Sequence, residues 1–111
     1  KRPQMGKFSS TFSDVIILTA EDPRSESIDR INSDILSGIK DHEARISGGT
    51  LRIIPNRQDA ISFAIGMAGK NDLVLITGKA HEKSMNYGKG EVIWDDYKAV
   101  KNALELRNEK N

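Results

Sequence analysis

A chain of 111 residues, with 17 Lys and Arg against 16 Asp and Glu and a formal charge of +1, has the size of one domain and lacks the basic excess that a nucleic-acid footprint needs. It holds no cysteine, which excludes disulfides and thiolate metal sites and agrees with a reducing cytoplasm as its location. The longest apolar run, Val15-Ile16-Ile17-Leu18, is far short of the ~20 residues that cross a bilayer, and Lys1-Arg2-Pro3 leads into no signal-peptide apolar region, so no membrane partner is expected.

From the amino end, residues 3–12 are predicted to be helical, with Met5, Phe8 and Phe12 on one side. The β-branched run 15–19 has no polar alternation and reads as a strand covered on both faces. After the polar turn 20–26, Ile28, Ile31, Ile35, Leu36 and Ile39 mark one face of a helix ending near Gly38, with Ser25 or Ser27 as its cap. Residues 40–50 are polar, contain Gly48-Gly49 and are expected to be a loop before a short strand, 51–54, stopped by Pro55. Asn56 offers an N-cap with Asp59 in the first turn, and Ala60, Ile61, Ala64, Ile65 and Ala68 form the buried stripe of the next helix.

Asp72-Leu73-Val74-Leu75-Ile76-Thr77 repeats the buried-strand pattern, and a Gly-interrupted loop is expected to run from it to Gly90. A short edge strand, 91–94, precedes a last helix capped at Asp95-Asp96 and turning Ala99, Val100, Ala103 and Leu104 inward, while Met85, Tyr87 and Trp94 are expected to pack. This alternation predicts an α/β domain with a mostly parallel sheet. Ligands of such sheets collect beyond the carboxyl ends of the strands, which singles out the loops 20–26 and 78–90.

Nucleotide signatures fail in both places. A phosphate loop ending at Gly78-Lys79 would need Gly at Leu73 and Ser or Thr at Ala80, and Gly88-Lys89-Gly90 lacks a third glycine and a following helix. His42 and His81 are isolated from other metal-ligating types, so no metal site is expected. Glu21-Asp22-Pro23-Arg24 joins a rigid proline turn to a guanidinium able to grip a carboxylate through two hydrogen bonds. Glu82 can accept from an ammonium, and Gly78 lets backbone approach a ligand closely. The same residue types also make ordinary surface turns, in which Arg24 pairs in solvent with Glu21, Asp22 or Glu26 for about 0–1 kcal/mol. Composition leaves both readings open: a rim for a zwitterion, or a solvated loop in which Lys79 and His81 have no ligand role.

Three motifs in order resemble those of the Mur ligase family, in the branch that adds the third residue of the peptidoglycan stem peptide. Lys1-Arg2-Pro3-x-Met5-Gly6 is similar to its K-R-P-x-M-G helix start, Thr19 to Arg24 to its T-x-D-N-P-R motif, and Gly78-Lys79-Ala80-His81-Glu82 to G-K-G-H-E. Asp59-Ala60-Ile61 and Asp95-Asp96 fall where the family has an R-x-x-A-I helix and an F-D-D helix start. The resemblance implies a Rossmann-like three-layer fold whose first strand lies outside the chain. It also implies a single carboxy-terminal domain, 1–111, excised from a larger cytoplasmic ligase.

Such a ligase joins meso-diaminopimelate or lysine to UDP-N-acetylmuramoyl-dipeptide, using ATP and Mg2+ bound by other domains, with neither cofactor held by this domain alone. Carried over residue by residue, Arg24 would hold the distal carboxylate of the amino acid, Glu82 and the Gly78 carbonyl its distal ammonium, and Glu21, Asp22 and Pro23 the wall, with Lys79 and His81 in support. Lysine-adding relatives generally lack the arginine, so Arg24 implies diaminopimelate. The chain departs from the motifs at Glu21, Asp22 and Ala80, where the family has Asp, Asn and Gly. A different class remains open, a non-catalytic binding module that keeps the fold.

Overall fold

The computed structural model describes residues 3, 4, 6, 7, 11, 13–19, 28–79 and 83–110. Its elements in chain order are β1 (Ile16–Leu18), α1 (Ile28–Leu36), α2 (His42–Gly48), β2 (Leu51–Ile53), α3 (Arg57–Met67), β3 (Ser84–Asn86), β4 (Glu91–Ile93) and α4 (Asp96–Lys110). Residues 3, 4, 6, 7 and 11 are helical as predicted, whereas Met5, Phe8 and Phe12 lie outside the described residues.

β1 and β2 pair in parallel, with Ile16, Ile17 and Leu18 opposite Leu51, Arg52 and Ile53. A parallel pair needs a crossover, and α1 and α2 supply it. Ile16 and Leu18 pack with Leu51 and with Ile35 and Ile39 of the α1 region in one core cluster. Ile17 points to the other face by strand alternation, and it lines a cavity together with Ala60, Ile61 and Ala64 of α3. Helices thus serve both faces, which is the α/β layering the periodicity predicted.

A second cluster joins Ile61 and Ile65 of α3 to Ala99 and Ala103 of α4, with Ile76, Trp94 and Val100 packed against it. Gln58, at the start of α3, donates to the Ala99 carbonyl near the start of α4 (3.0 Å), while Arg107 near the end of α4 donates to the Ile65 carbonyl near the end of α3 (2.9 Å). The two helices therefore run in the same direction, as helices do when each returns beside a parallel sheet. Leu104, expected to face inward, is instead largely exposed, because Ala103 takes the contact with α3.

Three further expectations are corrected. Residues 42–48 form α2 rather than a loop; the helix buries none of its residues, so it leaves no apolar stripe in the sequence. It is held at its ends: Gly49 sits at φ 82° and its N–H reaches the Arg45 and Ile46 carbonyls, so Gly48-Gly49 marks a left-handed C-cap. Arg45 also donates to the carbonyls of Ser13 (3.1 Å) and Asp14 (3.0 Å), fixing the entry to β1. Secondly, the stretch expected as loop before Gly90 contains β3, whose Met85 is buried and which pairs antiparallel with β4.

The third correction concerns residues 72–77, which form no ladder among the described residues. Their burial still alternates: Val74 and Ile76 are half-buried, whereas Leu73 and Leu75 are 88% and 78% exposed. The segment has the side chains of a covered strand without a neighbour beside it. Between it and β1 lies a cavity of about 200 Å³.

Asn56 caps α3 as predicted, its side chain accepting from the Asp59 N–H at 3.0 Å. In α1, Asn32 is 1% exposed and neither its amide nitrogen nor its oxygen has a hydrogen-bond partner among the described residues. A buried unsatisfied polar group costs about 1–3 kcal/mol. Asn32→Leu is expected to raise the unfolding free energy by about 1–3 kcal/mol in a urea titration, and a loss of stability would show that the site cannot accommodate an apolar side chain.

Candidate functional site

The cavity runs along β1 and the 72–77 segment, lined from Val15 to Thr19 on one side and from Val74 to Thr77 on the other, with Arg57 at its wall. Thr19 directly precedes the loop 20–26, and Thr77 directly precedes Gly78-Lys79. Thr19 is fixed by a hydrogen bond from its hydroxyl to the Pro55 carbonyl (3.2 Å). Thr19 and Thr77, the described residues that flank the two loops singled out by sequence, thus line one cavity and stand at the carboxyl ends of their segments, where open α/β folds bind ligands.

Of the candidate site residues, Gly78 and Lys79 are described. Gly78 adopts φ 105°, a left-handed conformation that a side chain would strain and that turns the chain sharply at the cavity mouth. Lys79 is 1% exposed, so the reading of this position as part of a solvated loop is corrected. Its cationic head lies near Asp96, whose acidity it influences. Glu21, Asp22, Pro23, Arg24, His81 and Glu82 lie outside the described residues.

A buried guanidinium at the cavity wall was not singled out from the sequence. Arg57, first residue of α3, is 1% exposed and pairs with Asp96, first residue of α4. Its Nε and Nη2 donate to Asp96 Oδ1 and Oδ2, both at 2.8 Å, the two-pronged geometry that makes a guanidinium–carboxylate pair strong. Nη2 also donates to the Thr77 carbonyl at 3.1 Å, and Trp94 Nε1 donates to Asp96 Oδ1 at 2.7 Å. The Arg57 N–H points to the Tyr87 hydroxyl at 3.4 Å, so Tyr87, expected to pack, is partly exposed and serves as an acceptor.

Burial of Asp96 would by itself raise its pKa. The hydrogen bonds from Arg57 and Trp94, together with the charges of Arg57 and Lys79, outweigh that and hold it below the ordinary value of 3.8. A signal for the pair was present in the sequence: a cation at the first turn of a helix opposes the macrodipole, so a buried Arg57 needed a nearby anion.

Among the described residues no group of three His, Cys, Asp or Glu could hold a metal ion, and no helix is long and apolar enough to cross a membrane.

Comparison with known proteins gives a consistent result. The profile of the family described as "Mur ligase, glutamate ligase domain" matches residues 1–80. The chain is 42% identical over 111 residues to the UDP-N-acetylmuramyl-tripeptide synthetase of Borreliella afzelii (strain PKo), a match covering 99% of this chain and 21% of that protein. It is 39% identical over 108 residues to the UDP-N-acetylmuramoyl-L-alanyl-D-glutamate–2,6-diaminopimelate ligase of Buchnera aphidicola subsp. Baizongia pistaciae (strain Bp), covering 97% and 20%. A solved structure of a protein with that same ligase name superposes with a TM-score of 0.84 at 30% identity, over 97% of this chain and 21% of that one. The chain thus spans about one fifth of the length of the relatives it matches.

Proposed function

Because the chain belongs to the Mur ligase family, we propose that it is the amino-acid-binding domain of a larger ATP-dependent ligase that adds a diamino acid, meso-diaminopimelate ahead of lysine, to UDP-N-acetylmuramoyl-dipeptide. The observation that carries this reading is the cavity shared by β1 and residues 72–77, whose lining includes Thr19 and Thr77, the residues next to the two motif loops. A zwitterion with a second ammonium and carboxylate at its far end requires an anion and a cation on opposing loops. In this reading Arg24 and Glu82 are those groups, and the Gly78 carbonyl is a second acceptor for the ammonium. The relatives' names, which include diaminopimelate ligases, agree with that choice of amino acid.

ATP and Mg2+ act in the rest of the ligase. This chain's sequence has no phosphate loop. ATP supplies an activated carboxylate on the acceptor; this domain's residues bind and orient the incoming amine.

The test is an isothermal titration of meso-diaminopimelate and of lysine into the full-length ligase, loaded with a non-hydrolysable ATP analogue and the dipeptide substrate. Diaminopimelate is expected to bind, and Arg24→Ala to weaken it by about 10- to 100-fold, the loss of a charge-assisted hydrogen-bonded pair. Binding of neither amino acid to a folded, loaded protein would overturn the reading in favour of a non-catalytic module.

A further inference from the structure

We propose that the Arg57–Asp96 pair is a positioning element for the amino-acid site: through the Thr77 carbonyl it sets where the Gly78 turn stands relative to the end of β1. The inference rests on the ligase reading above and adds residues that lie outside the three motifs.

Residues 73–77 have no ladder among the described residues, so side-chain contacts must fix where the segment ends. Arg57 Nη2 holds the Thr77 carbonyl at 3.1 Å, one residue before Gly78. Arg57 is itself immobilised by the two-pronged pairing with Asp96 at 2.8 Å, and Asp96 by Trp94 Nε1 at 2.7 Å. The pair joins the first turns of α3 and α4, two helices whose packing forms the second core cluster. The turn is therefore referenced to the most extensively packed part of this half of the molecule. Arg57 also borders the cavity on which Thr19 and the end of β1 lie.

A displaced Gly78 turn would misplace the ammonium-binding carbonyl, and errors near 1 Å can cost up to about 100-fold in a positioned reaction. ATP and the nucleotide substrate, held by other domains, would be unaffected. Lysine in place of Arg57 supplies one point charge; it can serve Asp96 but cannot also hold Thr77 in the planar fork geometry.

The experiment is steady-state kinetics of the full-length ligase as wild type, Arg57→Met, Arg57→Lys and Ile65→Ala, with the thermal midpoint of each. Ile65→Ala removes a buried side chain from the same cluster without touching the turn. Expected is a rise of about tenfold or more in the KM for the diamino acid in Arg57→Met, a smaller rise in Arg57→Lys, and KM values for ATP and nucleotide substrate within about twofold. Ile65→Ala should lower the thermal midpoint and leave the amino-acid KM unchanged. An equal KM rise in Ile65→Ala, or an unchanged KM in a folded Arg57 variant, overturns the positioning role while the ligase reading stands. If Arg57→Met does not fold, Arg57→Lys decides the question alone. A folded wild type that turns over no diamino acid overturns the ligase reading and this proposal with it.

Discussion

Asp96→Ala is expected to destabilise the fold by about 3–5 kcal/mol, the range observed when one partner of a buried ion pair is removed. The loss is large because Arg57 remains, 1% exposed and charged, with two donors that had been aimed at the carboxylate. The indole N–H of Trp94 loses its acceptor in the same step. Asp96→Asn keeps an acceptor for Trp94 but not the charge, and should fall between alanine and wild type. Urea denaturation of the three proteins checks the order, and a loss under about 1 kcal/mol in Asp96→Ala would mean the pair is screened like a surface bridge.

The pH dependence has a definite sign. The Asp96 carboxyl is held below its ordinary value of 3.8 in the folded state, so its contribution is fully present above that value. It disappears as pH falls through the lower folded-state value. Wild type should therefore lose stability in that acid window more steeply than Asp96→Asn, whose amide does not titrate.

Leu51→Ala is expected to cost about 2–5 kcal/mol, as for other fully buried leucines cut to alanine. Leu51 is 0% exposed, sits opposite Ile16 in the parallel register and joins Leu18, Ile35 and Ile39 in the first cluster. Two residues on, Ile53 shares the strand but is 40% exposed, and its alanine variant should lose much less. Thermal melts followed by far-ultraviolet circular dichroism separate the two; equal losses would show that strand pairing rather than core packing dominates at β2.

Elements whose side chains are sorted by burial were legible in the sequence. α1 and α3 bury residues at helical spacing, and β1 is an uninterrupted β-branched run, so periodicity found all three. α2 was missed because it buries nothing and is set by backbone geometry at Asp41 and Gly49. β3 was missed because Ser84-Met85-Asn86 is short and has one buried residue. The 72–77 segment was misassigned for the opposite reason, since its composition records a covering that the described residues do not provide. At the site, the motif loops were legible as charge patterns and by resemblance. Asp96 was legible only as part of a helix cap and Arg57 was not singled out; their partnership connects residues 39 apart and rests on a tertiary contact.

Trp94, the single tryptophan of the chain, packs against the cluster of α3 and α4 and donates to Asp96, while Leu51 and Ile16 lie in the other cluster. Its fluorescence is consequently a local gauge. It follows the integrity of the half that carries the Gly78 turn and is nearly blind to the half built on β1 and β2, whereas circular dichroism sums over both. The chain thus carries its own spectroscopic division of labour: divergence between the two signals during unfolding would identify two cooperative units, and their coincidence would show that the halves melt as one.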